Sequence, residues 1–274
     1  MPIDPADFNT IVEFARKEAA ITLEPGKEYL VESRLNPLVR QFQFANIGEL
    51  VSKLRLQQSP QLKRACLDAL TTNETSFFRD IHPFETLRTE IIPRAMANRT
   101  AERSLTIWFG ACSSGQEPYS TAILLKEHFP QLATWKLNLL GFDISQSMVD
   151  RCKEGRYSTL EVNRGLQAPL LVKYFRREGA NWFVNDELKS MIKFSTGNLL
   201  GVWPPTPQID IAFLRNVLIY FDVPTKQQVL RTLKTRLRKD GVLMLGGPET
   251  THNIDPDFER VTVGRSIYFT LKQS

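Results

Sequence analysis

The stretch Leu105–Phe129, LTIWFGACSSGQEPYSTAILLKEHF, constrains the fold of this chain more than any other. It reads as a buried strand over 105–109, a tight loop over 110–115, and a helix whose start is set by Pro118. A strand that turns through glycines into a helix N-terminus is the nucleotide-binding corner of doubly wound α/β folds. A dinucleotide fingerprint needs a second glycine so that the backbone can approach a pyrophosphate, and here Cys112 holds that place. Glu117 stands where a phosphate would meet the helix, and a carboxylate repels a phosphate. The corner therefore suits an adenosine ligand without phosphates, a description that S-adenosylmethionine meets. A plain strand–helix turn with no ligand is the alternative, because short Gly motifs are weak signals.

A length of 274 residues allows one large or two modest domains, and 42% apolar with 24% charged residues is the balance of a soluble globular chain. No apolar run approaches the ~18 residues of a membrane span, and the N-terminus MPIDPADFNT has no signal-peptide pattern. Cys66, Cys112 and Cys152 are odd in number and scattered, which suggests free thiols in a reducing cytoplasm and no metal site. His82, His128 and His252 are isolated. A net charge of +5 favours acidic partners without choosing among nucleic acid, membrane and protein.

Residues 1–70 contain no convincing strand. Asp4 or Asp7 can cap a first helix, and Leu35, Leu38, Val39 and Phe42 share one helical face within 27–44. Arg34 and Arg40 fall largely off that stripe, and Pro37 is expected to kink or restart the helix. Two more helices fit 47–56 and 60–70. Residues 71–98 form a linker with the aromatic and hydrogen-bonding run TTNETSFFRD, followed by a helix capped near Asp80 or His82. Residues 99–274 alternate strands and helices, which signals a mostly parallel sheet. Its second strand ends in Gly141-Phe142-Asp143, where an acidic residue is placed to accept from ribose hydroxyls. A small β insert is expected at about 172–186, turning at Glu178-Gly179. A helix from Pro224 is expected to run through Leu237 to Lys239-Asp240-Gly241, with a strand over 242–245 and a closing hairpin of 258–263 and 266–271.

TTNETSFFRD, GACSSGQEPYS, GFDIS, GNLL, FLRNVLIYFD and LGGPE, in this order and spacing, resemble the CheR-type chemoreceptor glutamate methyltransferases over nearly the whole chain. The resemblance implies a class I methyltransferase domain, Rossmann-like and mostly parallel with a reversed last strand, behind an all-α substrate-recognition domain. It implies S-adenosylmethionine as cofactor, S-adenosylhomocysteine as product, no metal, and methyl transfer to glutamate side chains of methyl-accepting chemoreceptors. Carried over by residue, Asn73, Thr75 and Arg79 match the segment closing over the methionine end of the cofactor. Glu117 matches the acidic ligand at the corner, with Ala111 and Ser113 nearby, and Asp143 matches the ribose ligand. Asn198 and Leu199 match the adenine-side loop, and Arg215 and Asn216 match the loop under the methionine. Tyr220 matches the tyrosine near the transferred methyl, and Arg79 and Tyr220 are the expected catalytic pair.

In the family, basic residues on the second helix meet the acidic helical bundle of the receptor, and Arg34 and Arg40 match them; Pro37 departs from the usual run. The insert is short and lacks the extra glycines of members that bind a pentapeptide tether, so a tether-independent enzyme is expected. The expected partners are thus the receptor's cytoplasmic helical domain and, as an open option, a regulatory protein. A cytoplasmic monomer that neither binds nucleic acid nor inserts into membrane is expected. Other readings remain open at this point. An NAD(P)-dependent oxidoreductase is disfavoured by Cys112 and Glu117, and a nucleic-acid base methyltransferase by LRNVLIYF, which lacks a Pro-Pro-aromatic motif. A methyltransferase acting on another protein and a non-catalytic scaffold of the same fold complete the alternatives.

Overall fold

A computed structural model describes residues 3–56 and 59–272. The chain opens with four helices: α1 (Pro5–Ala19), α2 (Glu28–Gln41), α3 (Ile47–Arg55) and α4 (Pro60–Leu70). The side chain of Asp4 caps α1, Asn46 caps α3 and Ser59 caps α4, each accepting an amide of the first turn. Ile11, Val31, Leu35, Leu50, Leu62 and Cys66 meet in a separate apolar core, where burial pushes the Cys66 thiol up to about 12. Helix α2 runs through Pro37 without restarting.

A segment over 71–81 leads into α5 (His82–Thr86), a π-helical turn (Leu87–Ile91) and α6 (Ile92–Asn98). The α/β part follows with β1 (Ser104–Gly110), α7 (Gln116–His128), β2 (Lys136–Asp143) and α8 (Gln146–Glu154). Next come β3 (Arg156–Ser158), α9 (Thr159–Asn163), α10 (Ala168–Tyr174), β4 (Phe175–Glu178), β5 (Asn181–Val184) and α11 (Asp186–Ser190). The chain continues through β6 (Ile192–Thr196), β7 (Ile209–Leu214), α12 (Val223–Lys234), β8 (Leu237–Leu245), β9 (Phe258–Val263) and β10 (Ser266–Leu271).

The main sheet has seven strands in the order β6-β2-β1-β7-β8-β10-β9. Strands β6, β2, β1, β7 and β8 run parallel, while β10 is antiparallel to β8 and to β9. The reversed strand is therefore β10. Alternation along the strands separates two cores. Ile107, Phe109, Ile211, Phe213, Val242 and Met244 face one layer, and Trp108, Ala212, Leu214, Leu243 and Leu245 face the other. Trp108 stacks on Trp203 with ring centroids 4.7 Å apart.

Two expectations are corrected. Helix α12 ends at Lys234, and Leu237 belongs to β8, where it pairs with Ile209 across an irregular register. The apolar stripe Val229, Leu230, Leu233, Leu237 continues unbroken in sequence, but pairing with β7 draws its last member out of the helix. The β insert is also larger than expected. Strand β3 joins β4 and β5 in an antiparallel sheet ordered β3-β5-β4.

Candidate active site

The loop between β1 and α7 is held from every side. Ala111 and Ser113 take positive φ values of 55° and 50°, unusual for residues with side chains. Their neighbours secure this conformation: the Cys112 amide donates to the Phe142 carbonyl (3.1 Å) and the Ser113 amide to Asp143 Oδ2 (2.7 Å). The Cys152 thiol donates to the Ser113 carbonyl (3.1 Å) and the Tyr157 hydroxyl to the Ser114 carbonyl (2.6 Å). Gly115 has φ 92°, and a Cβ there would lie 2.9 Å from Cys152 Sγ. Helix α7 starts at Gln116, so its start follows from Gly115, two residues before the Pro118 turn that the pattern suggests.

Asp143 ends β2 with its side chain buried, and its second oxygen accepts the Ser145 amide at 2.9 Å. Burial pushes the Asp143 carboxyl above its ordinary range, and the amide bonds from Ser145 and Ser113 oppose that shift. Each carboxylate oxygen has a second lone pair, so acceptor capacity remains for ribose hydroxyls. Glu117 lies in the first turn of α7, where burial raises its carboxyl and the Arg215 guanidinium opposes the rise. Arg215 Nη1 is 2.5 Å from Glu117 Oε2, and Nη2 donates to Asp80 Oδ2 (2.7 Å) and to the Arg79 carbonyl (3.2 Å). The thiol of Cys112 is held well above its usual range by a hydrogen bond with Cys152 and by burial, so it stays protonated.

Segment 71–81 lies across this corner. Phe77 is fully buried edge-on to Tyr157 (5.0 Å) and Phe175 (5.5 Å), and the Phe78 amide donates to Ser120 Oγ (2.9 Å). The Asn73 carbonyl accepts from Ser113 Oγ (2.9 Å), and Arg79 Nη1 donates to the Glu74 carbonyl (3.0 Å). Phe78, Asp80 and Ile81 all have positive φ, a concentration of backbone strain that packing must hold in place.

These pieces surround a cavity of about 210 Å³. Asn73, Thr75, Arg79, Glu117, Asp143, Asn198, Leu199, Arg215, Asn216 and Tyr220 all line it, as does Arg34 from α2. Arg40 does not line it and is exposed at the far end of α2. Arg34 Nη1 donates to the Leu70 carbonyl (2.6 Å) and Nη2 to Thr72 Oγ1 (3.1 Å), so it ties α2 to the start of the lid segment. Asn198 is also engaged: Nδ2 donates to the Glu18 carbonyl at the end of α1 (2.6 Å), and Oδ1 accepts the Leu200 amide. The helical bundle thus forms one wall of the cavity, with Ile21, Leu23 and Leu30 contributing.

A profile of the CheR methyltransferase SAM binding domain matches residues 73–267, and one of the CheR methyltransferase all-alpha domain matches residues 6–71. The chain belongs to the CheR methyltransferase family. Chemotaxis protein methyltransferase Cher2 of Pseudomonas putida is 36% identical over 97% of this chain and 98% of its own length. Chemotaxis protein methyltransferase 1 of Pseudomonas aeruginosa is likewise 36% identical, over 97% and 98%. S-adenosylmethionine is accordingly the cofactor, and the cavity fits it. Its carboxylates Glu117 and Asp143 suit an ammonium and ribose hydroxyls, and buried Arg215 Nε lacks a hydrogen-bond partner within the protein, a donor that a bound carboxylate would satisfy. No helix among the described residues is long and apolar enough to cross a membrane.

Residues that pattern reading passed over carry much of the corner. Tyr157 and Cys152 hold the loop from behind, Ser120 anchors the lid, and Glu249 holds the loop after β7. Ser120 and Glu249 had a local signal, as the last residues of GACSSGQEPYS and LGGPE.

Proposed function

We propose that this chain transfers a methyl group from S-adenosylmethionine to glutamate side-chain carboxylates on chemoreceptors, leaving glutamate methyl esters and S-adenosylhomocysteine. The observation that carries this reading is a cavity with cationic donors and no available general base. Glu117 is paired with Arg215 and Glu74 with Arg164, Asp143 accepts two amides, Cys112 is protonated, and neither His nor Lys lines the wall among the described residues. A glutamate carboxylate is already ionised at pH 7 and attacks without losing a proton, whereas an amine or hydroxyl must lose one.

When bound, S-adenosylmethionine supplies an electrophilic methyl group on a sulfonium. Glu117 and Arg215 would hold its methionine end, Asp143 its ribose, and Leu199 its adenine side. Among the described residues Arg79 bonds one lid carbonyl, through Nη1, which leaves guanidinium donors to orient an incoming carboxylate, and Tyr220 lines the same cavity. Fixed alignment of nucleophile and methyl can contribute up to ~7–11 kcal/mol. Charge is neutralised as the bond forms, so the partly desolvated wall favours the step.

The receptor would meet the enzyme directly, without a tether. Strand β4 is one of the two outer strands of the small sheet, its Arg176 and Arg177 are exposed, and the β4–β5 turn is only Gly179-Ala180. Incubation with labelled S-adenosylmethionine and a receptor cytoplasmic fragment should give base-labile label on the receptor. Base-stable label would point to an amine and overturn ester formation. Calorimetry with a receptor C-terminal pentapeptide should show no binding; appreciable heat would overturn the tether-independent reading.

A further inference from the structure

Glu249 follows β8 in the turn Gly246-Gly247-Pro248-Glu249, and its carboxylate meets the loop after β7 without lining the cavity. Oε2 accepts the amides of Asn216 (2.7 Å) and Gly246 (2.7 Å), and Oε1 accepts those of Val217 (2.9 Å) and Ile219 (3.3 Å). Three of these four donors belong to the loop after β7, which carries a short 3-10 turn over Leu218–Tyr220. Asn216 sits there with φ 59°, a conformation that costs free energy for a residue with a side chain. Gly246 is shaped to the same contact: a Cβ there would stand 2.6 Å from Asn216 Nδ2, 2.8 Å from Glu249 Oε2 and 2.9 Å from the Asn216 amide nitrogen.

We propose that Glu249 is a positioning residue for the cofactor pocket, acting as a carboxylate clamp on the loop over residues 215–220. The loop presents Arg215, Asn216, Val217 and Tyr220 to the cavity, and Glu249 itself does not line it. The two oxygens of one carboxylate fix the loop at the amides of Asn216, Val217 and Ile219, so it meets the ligand already in place. Only a carboxylate does this. A carboxamide has one acceptor oxygen and would turn its NH₂ against two amide donors in either orientation.

The inference rests on the cofactor reading of the cavity but not on the identity of the methyl acceptor, so binding of S-adenosylhomocysteine to the full chain is the test. Glu249→Gln should weaken that binding at least tenfold in calorimetry. For Glu249→Ala, sodium formate should restore affinity saturably, because the carboxylate hole is flanked by exposed Gly247, Pro248 and Thr250. Unchanged affinity in Glu249→Gln, or a loss that formate does not relieve in Glu249→Ala, would overturn the clamp. Should Glu249→Ala fail to fold, the Gln variant and the melting temperature decide: a binding loss explained wholly by unfolding overturns it as well. Failure of the wild-type chain to bind S-adenosylhomocysteine would instead overturn the cofactor reading.

Discussion

Arg215 Nη1 and Glu117 Oε2 lie 2.5 Å apart, joining the loop after β7 to the first turn of α7. The guanidinium side chain is 1% exposed and the carboxylate 13%, so solvent screens the pair little. Arg215 also holds Asp80 and the Arg79 carbonyl, so the lid, the glycine corner and the loop after β7 converge on one side chain.

Arg215→Met should therefore destabilise the protein by about 3–5 kcal/mol, the usual cost of stranding one partner of a buried pair. Without the guanidinium, the Glu117 carboxyl rises further, so the cost should be larger at pH 8 than at pH 5, where protonation relieves it. Denaturant titrations at the two pH values measure both effects. A midpoint unchanged at pH 8 would count against the pair as a structural element.

The affinity for cofactor should rise with pH on the acid side of neutrality. Burial raises both Glu117 and Asp143 in the ligand-free protein. A raised carboxyl means the native state holds protons that the unfolded chain has released. Its stabilising contribution is full below the unfolded value and is lost as pH rises through the folded one. A ligand that brings an ammonium to Glu117 and hydroxyl donors to Asp143 favours both ionised forms, so binding releases protons. Calorimetry in buffers of different ionisation enthalpy reads that release directly, and Glu117→Gln should diminish it. Equal heats in all buffers would contradict the assignment.

The two arginines of α2 should behave differently. Arg40 is exposed with no ion pair among the described residues, whereas Arg34 is bound to Leu70 and Thr72 at the edge of the cavity. Arg40→Glu should raise KM for the receptor with kcat nearly unchanged, the pattern of lost uniform binding. Arg34→Glu should lower kcat as well, because it releases the start of the lid. Identical kinetic changes in the two variants would refute the distinction.

Much of this architecture is legible in the residues alone, and the failures have physical causes. The parallel strands around Ile107, Leu139 and Ile211 announce themselves as apolar runs, and Asp143 follows from its place at the end of one. Leu237 misleads because helical periodicity says nothing about a neighbouring strand that pairs better. Strand β3 is three residues long, too short for any period to register. Asn198 stands beside the cavity as its motif suggests, but that its amide would reach the Glu18 carbonyl depends on how the helical bundle packs. The role of Glu249 is hidden for a related reason, although its motif LGGPE is visible. Its principal partners are backbone amides some 30 residues earlier, and an amide leaves no mark in a sequence.

Gly165 shows how a residue without a side chain can set the lid. It has φ 98°, and a Cβ built on it would stand 1.9 Å from the Phe77 carbonyl oxygen. That oxygen belongs to backbone, so it cannot swing aside as a side-chain tip would, and Phe77 is fully buried against Tyr157 and Phe175. Gly165→Ala must then push segment 71–81 outward or twist its own backbone into strain, at a cost of order 1–3 kcal/mol. Because Asn73, Thr75 and Arg79 line the cavity from that same segment, the displacement should weaken cofactor binding by more than the change in melting temperature accounts for. Gly179, at the tip of the β4–β5 turn, has φ 59° and open space around it, so Gly179→Ala carries the backbone strain without the collision. It should lower stability modestly and leave cofactor affinity intact. Comparable affinity losses in both variants would show that the contact between Gly165 and Phe77 does not govern the lid.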